Sequence, residues 1–175
     1  MNKKRSSSFF IQLILIFFGF PALGICAGIS DQSPKPHVVQ YGEFDYAASC
    51  NFAHEVYKRV GIESILTSKK RDRQIDQRNE GGVEVRYYRH VGNGFVLTYG
   101  VSKYKANPVL IDINRPAIFL PRRAISQNAL FEMLGVSSTL GHERNIEFGC
   151  DTERIQIRFD IEGGVRSVKI EWNNI

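Results

Sequence analysis

Cys50 and Cys150 stand 100 residues apart, so any fold that joins them must bring an early segment back onto a late one. Whether they are a pair depends on a third cysteine, Cys26, near the N-terminus. Lys3, Lys4 and Arg5 form a positive start, Ser6 to Ser8 a spacer, and Phe9 to Phe20 an apolar run broken only by Gln12 and Gly19. Pro21 then ends any helix, and small residues follow through Ala22, Gly24, Ala27 and Gly28. That order is the layout of a secretory signal peptide over residues 1–27, with Ile25-Cys26-Ala27 as the cleavage site. The alternative of an uncleaved anchor meets an unbroken apolar stretch short of the roughly 20 residues a bilayer needs. Leu23-Gly24-Ile25-Cys26 offers a further alternative, lipid attachment at Cys26, but such a box usually has a small residue where Ile25 stands.

Cleavage leaves 148 residues and two cysteines. In an exported protein an even pair is most simply a disulfide. A link closing about 100 residues stabilises by roughly 4–5 kcal/mol on the chain-entropy model. The other reading, a catalytic thiol, needs a nearby base and a reducing compartment.

Charge changes in the same step. The whole chain carries 23 Lys+Arg against 18 Asp+Glu, a net +5, but the mature part keeps 20 basic and all 18 acidic residues, a net +2. The general electrostatic case for nucleic acid disappears with it, and a 43% apolar content excludes a charged disordered chain. What remains is a local bias. Residues 58–89 hold nine basic and five acidic residues, whereas 28–57 and 143–175 are net acidic. Lys69, Lys70, Arg71 and Arg73 cluster, and Arg86 and Arg89 flank Tyr87 and Tyr88. Tyr and Arg are frequent anchors of protein interfaces, so these eight residues are the candidate partner-binding set. A solvated loop beside a strand with one wet face is the competing account. An anionic envelope polymer or lipid headgroup would be held only weakly.

Residues 28–40, with Ser30, Ser33, Pro34 and Pro36, read as a flexible leader, with a weak strand signal over Val38 to Phe44. One α+β domain follows over 41–175: an antiparallel sheet packed against two short helices. The first helix is expected from Ser49, as cap, to Val60, with Phe52, Val56 and Val60 on one face and Gly61 ending it. The second is expected over Gln127 to Leu134, capped by Ser126, stapled by Ile125 and Leu130 and stopped by Gly135. Val83, Val85 and Tyr87 alternate, Gly92-Asn93-Gly94 turns the chain, and Phe95 to Val101 returns. Val109, Ile111 and Ile113 alternate again, with Ala117 to Leu120 beyond them. Ile146, Phe148 and Cys150 share a strand face, as do Ile155, Ile157, Phe159 and Ile161, before Gly163-Gly164 turns into Val168, Ile170 and Trp172. The parity of Val165 disagrees with Val168, which predicts a bulge or a longer turn there.

Two internal echoes accompany this pattern. Residues 56–64 match 130–138 in their apolar positions, glycine and final serine, and Glu80-Gly81-Gly82-Val83 returns as Glu162-Gly163-Gly164-Val165. They fit two tandem helix-plus-meander units, divided as 41–121 and 122–175. The second unit, with Ser126, Leu130, Leu134-Gly135 and the Ile157-x-Phe159-x-Ile161-x-Gly163-Gly164-Val165 hairpin, resembles the helix-then-meander unit of small exported proteins of the β-lactamase-inhibitor-like and outer-membrane-assembly-lipoprotein type. The resemblance covers Ala124 to Trp172, and Val136 replaces the usual proline after the Leu-Gly pair. It implies a helix-faced antiparallel sheet used to bind another protein, and it transfers no functional residue.

No catalytic set is evident. His54-Glu55 lacks a second histidine four residues on, and His37, His54, His90 and His142 are scattered, so no metal site and no cofactor are expected. Ser102-Lys103-Tyr104-Lys105 matches S-x-x-K but follows a strand rather than opening a helix. Glu143/Glu147 and Asp151/Glu153 flank strands and read as solvated ends. The sequence therefore predicts an exported, periplasmic, non-enzymatic protein-binding module of inhibitor or immunity type. No nucleic acid partner and no membrane span after signal removal are expected. The alternative is an envelope enzyme or structural component acting on cell-wall or lipid material, requiring His90, Ser102 or a carboxylate pair to converge.

Overall fold

Asp45 opens the first helix, α1 (Tyr46–Val60), its carboxylate accepting from the Ala48 amide at 3.0 Å. Phe52, Ala53, Val56 and Val60 recur on one helical face and are buried. Gly61, at φ 75°, closes the helix as expected, its amide reaching the carbonyls of Tyr57 and Lys58. The cap itself differs from expectation. Ser49 lies inside the first turn, fully buried, and its hydroxyl donates to the Gly149 carbonyl at 3.0 Å. A short helix unforeseen in the sequence, α2 (Ile62–Thr67), follows directly.

The computed structural model describes residues 35–68 and 72–173. Residues 1–27, read from sequence as a signal peptide and including Cys26, the expected leader up to Pro34, and Lys69, Lys70 and Arg71 lie outside the described residues. Within the described part, β1 (His37–Val38) pairs in parallel with β6 (Asn145–Cys150), and Val39 is buried beside it. The last residues of the segment read as a leader are thus part of the fold.

The other strands are β2 (Arg73–Glu80), β3 (Val83–Gly92), β4 (Phe95–Val101), β5 (Ala106–Ile113), β7 (Glu153–Phe159) and β8 (Val165–Trp172). They form one sheet in the order β1-β6-β7-β8-β5-β4-β3-β2. Between the two meanders stand a helical turn, α3 (Pro116–Phe119), and α4 (Gln127–Leu134). Ala117 to Leu120 read from sequence as continuing the strand run; Pro116 instead begins a helix, its fixed φ suiting the first helical position. Helix α4 matches its expected bounds, with Ser126 accepting from the Ala129 amide and Gly135 at φ 64°.

Two meanders therefore meet through their last strands, β5 and β8, which run antiparallel. Alternation and register then align two apolar rows across five strands. Leu97, Ile111, Ile170, Ile155 and Phe148 form one; Phe95, Ile113, Val168, Ile157 and Ile146 form the other. All ten are buried, and the helices pack over them in a single core. The anticipated irregularity before β8 is present as both a register shift at Arg158/Phe159 and a turn over 160–164. That turn removes Ile161 from the face it was expected to share: it is 86% exposed.

The disulfide between Cys50 and Cys150 is formed, with the Cα atoms 5.0 Å apart. It belongs to a row of contacts tying the start of α1 to the end of β6. Tyr46 donates its hydroxyl to the Asp151 carboxylate at 2.6 Å and accepts from the Asp151 amide, and Ser49 and Cys50 make the next two links. Among the described residues no helix is long and apolar enough to cross a membrane.

Candidate binding face

The helices cover only one face of the sheet, so every strand carries a second, uncovered set of side chains. On β6, β7 and β8 this set is polar and internally paired. Glu147 accepts from Gln156 at 2.7 Å and pairs with Arg154 at 3.2 Å, and Lys169 pairs with Glu171 at 2.6 Å. On β3, β4 and β5 it is largely apolar: Val83, Val85, Tyr87, Val96 and Leu110, each only partly exposed except Tyr87, which is 5% exposed. An aromatic ring buried on a face without a helix needs another cover. Gly100, directly across from Tyr87, provides it by letting the ring lie close to the strand.

Beside Tyr87 the surface dips into a cavity of about 310 Å³ lined by Glu80, Val83, Val85, Tyr87, Gly100 and Val109, among others. Gly81 and Gly82, both at positive φ, form the two-residue turn that brings Glu80 opposite Val83 and so to the cavity's end. The Tyr87 hydroxyl donates to Glu80 Oε1, and the Arg78 guanidinium lies 5.4 Å from the ring centroid while pairing with Asp76 at 2.7 Å. Burial, then the bond to Glu80, pushes the Tyr87 phenol up from 10.0 to about 12. The second Glu80 oxygen, Oε2, is buried and has no hydrogen-bond partner among the described residues.

The candidate partner-binding residues do not form one patch. Strand alternation places Tyr87 and Arg89 on the uncovered face and turns Arg86 and Tyr88 to the other, where Arg86 pairs with Glu84 at 2.8 Å and Tyr88 stacks on Tyr99. Arg73 is directly opposite Arg89 across the β2–β3 ladder, so two cations share the end of the open face away from Glu80. Lys69, Lys70 and Arg71 are outside the described residues. Sequence reasoning missed Glu80, Val83, Val85 and Gly100 as a unit because the residues of β2 predict no strand. Ile75 is its only apolar residue. The glycine pair 81–82 between Glu80 and Val83 was the signal that a hairpin, hence a partner strand, preceded β3.

The groups considered for catalysis are dispersed. His90 Nδ1 lies 3.1 Å and 3.2 Å from the two Asp72 oxygens, and Tyr99 donates to Asp72 at 3.0 Å. Asp72 thereby fastens the start of β2 to β3 and β4. Ser102 is five residues along β4 from Leu97, the cross-strand partner of His90, about 17 Å at strand rise. Its hydroxyl is spent within the β4–β5 turn on the Tyr104 and Lys105 amides. Glu143 is beside His37 and His142, Glu147 is paired as above, and Asp151 is held by Tyr46. Cys50, Cys150 and Asp151 are close enough to suggest three metal ligands, but the two sulfurs are bonded to each other and offer no thiolate.

No protein-family model matches this chain, and comparison with characterised proteins and with solved structures returns no match.

Proposed function

We propose that this chain is an exported, periplasmic, non-enzymatic binding module of the inhibitor or immunity kind, which holds a protein partner against β3, β4 and β5. The observation carrying this reading is the asymmetry of the uncovered sheet face. Its β6–β8 half satisfies its polar groups internally, whereas its β3–β5 half leaves Val83, Val85, Val96 and Leu110 partly exposed around a buried tyrosine. Contiguous exposed apolar surface rimmed by charge is the usual mark of an interaction site. Arg73 and Arg89, like charges directly opposed, favour an acidic group on the partner at that end. The disulfide supports an oxidising compartment.

Affinity capture from envelope extracts and from neighbouring secreted effectors tests the reading. Val85→Asp and Leu110→Asp abolish capture, while Arg158→Asp on the polar half leaves it intact. Capture indifferent to all three substitutions contradicts it.

The Asp72–His90 contact favours a second reading, an envelope enzyme in which the carboxylate orients the ring and leaves Nε2 as its acceptor. Release of soluble fragments from cell-wall or lipid material by the mature protein, lost in His90→Gln, is the result it requires.

A further inference from the structure

The cavity beside Tyr87 combines largely apolar walls with a carboxylate that has a buried, unmet oxygen. Val83, Val85, Val109 and the Tyr87 ring form the walls, Gly100 removes a side chain from the lining, and Glu80 Oε2 is buried without a partner. A buried carboxylate oxygen is seldom left unpaired, and this one belongs to a residue that lines the cavity, so a small turn of the carboxylate brings it to a donor held there. Oε1 already accepts from Tyr87, so a bidentate guanidinium has only one oxygen to meet, whereas a point donor is matched. Arg78 is engaged with Asp76, and neither it nor the exposed Lys105 is paired with Glu80. The volume of about 310 Å³ lies at the lower bound of small-molecule pockets, which limits the occupant to a side chain or a short aliphatic molecule.

We infer that this cavity takes an aliphatic ammonium group, its methylene stem along Val83, Val85 and Tyr87 and its nitrogen on the Glu80 carboxylate. Long cationic side chains bury their stems on apolar surface in this way. A partner's lysine and a free short-chain amine share this chemistry. In the first form the inference rests on the protein-binding reading and names the partner's anchor; in the second it stands alone.

Titration of the disulfide-bonded mature protein with n-pentylammonium, followed by the amide shifts of Val85, Tyr87 and Gly100, gives saturable binding. It is tighter than that of n-pentanol by about ten-fold, the scale of one charge-assisted contact. Glu80→Gln brings the two to equal affinity. Lys105→Ala, which removes a like charge from the lining, tightens ammonium binding and provides the test should Glu80→Gln misfold. Equal affinity for ammonium and alcohol in the wild-type protein, no saturable shift, or a preference that survives Glu80→Gln overturns the inference. Displacement of a captured partner by n-pentylammonium, with loss of capture when the partner's lysines are acetylated, identifies a lysine as occupant. Ammonium binding that leaves capture unchanged identifies a free amine. Capture that persists in Glu80→Gln while no amine binds removes this inference and leaves the protein-binding reading in place.

Discussion

The ring of Tyr87 packs against Gly100, its cross-strand partner: a Cβ at Gly100 would come within 3.0 Å of Val85 Cγ1 and 3.4 Å of Tyr87 Cε1. Gly100→Leu therefore forces the ring outward and returns water to the phenol. Its ionisation, pushed up to about 12 in the native protein, falls toward 10.0 in the variant. Ultraviolet titration against Tyr87→Phe isolates this one phenol.

The same phenol links stability to alkaline pH. Its proton is held more tightly in the folded state than in the unfolded one, so its contribution is complete below pH 10.0 and is lost as pH rises through about 12. Urea unfolding at pH 9 and pH 11 shows a loss of stability in the wild-type protein that is smaller in Tyr87→Phe. An equal loss in both removes Tyr87 as the source.

Reduction of the Cys50–Cys150 bond releases a constraint spanning 100 residues. The expected loss is about 2–5 kcal/mol, a range that includes the chain-entropy figure, since the bond acts mainly by constraining the unfolded chain. Denaturation with and without reductant measures it, and mass spectrometry of the non-reduced protein shows the two cysteine peptides joined.

Ile170 and Ile161 separate core from turn. Ile170 is fully buried at the middle of one apolar row, and Ile170→Ala costs about 2–5 kcal/mol. Ile161 is 86% exposed, and Ile161→Ala stays within about 0.5 kcal/mol. Comparable losses at both positions would contradict the register of β7 and β8.

The strands of the core were legible in the sequence because one buried face gives a period of two: Ile155, Ile157 and Phe159, or Ile111 and Ile113, announce themselves. Helix α4 was legible to the residue from Ser126 and Gly135. The edge strand β2 was not, since a strand exposed on both faces has no apolar alternation; its charges protect the sheet edge rather than mark it. The candidate binding face was half legible. Tyr87 and Arg89 stood out, but their adjacency to Tyr88 and Arg86 concealed that a pleated strand sends neighbours to opposite faces. Glu80 and Gly100 join the site only through cross-strand register, which composition does not carry.

The most direct test of the proposed binding face is site-specific photo-crosslinking of the full chain expressed in cells. A photoreactive residue replacing Val85 or Leu110 gives one discrete crosslinked partner, and the same residue replacing Gln156 or Arg158 gives none. Crosslinks confined to positions 156 and 158, or absent from 85 and 110, would contradict the assignment of β3, β4 and β5 as the surface that holds the partner.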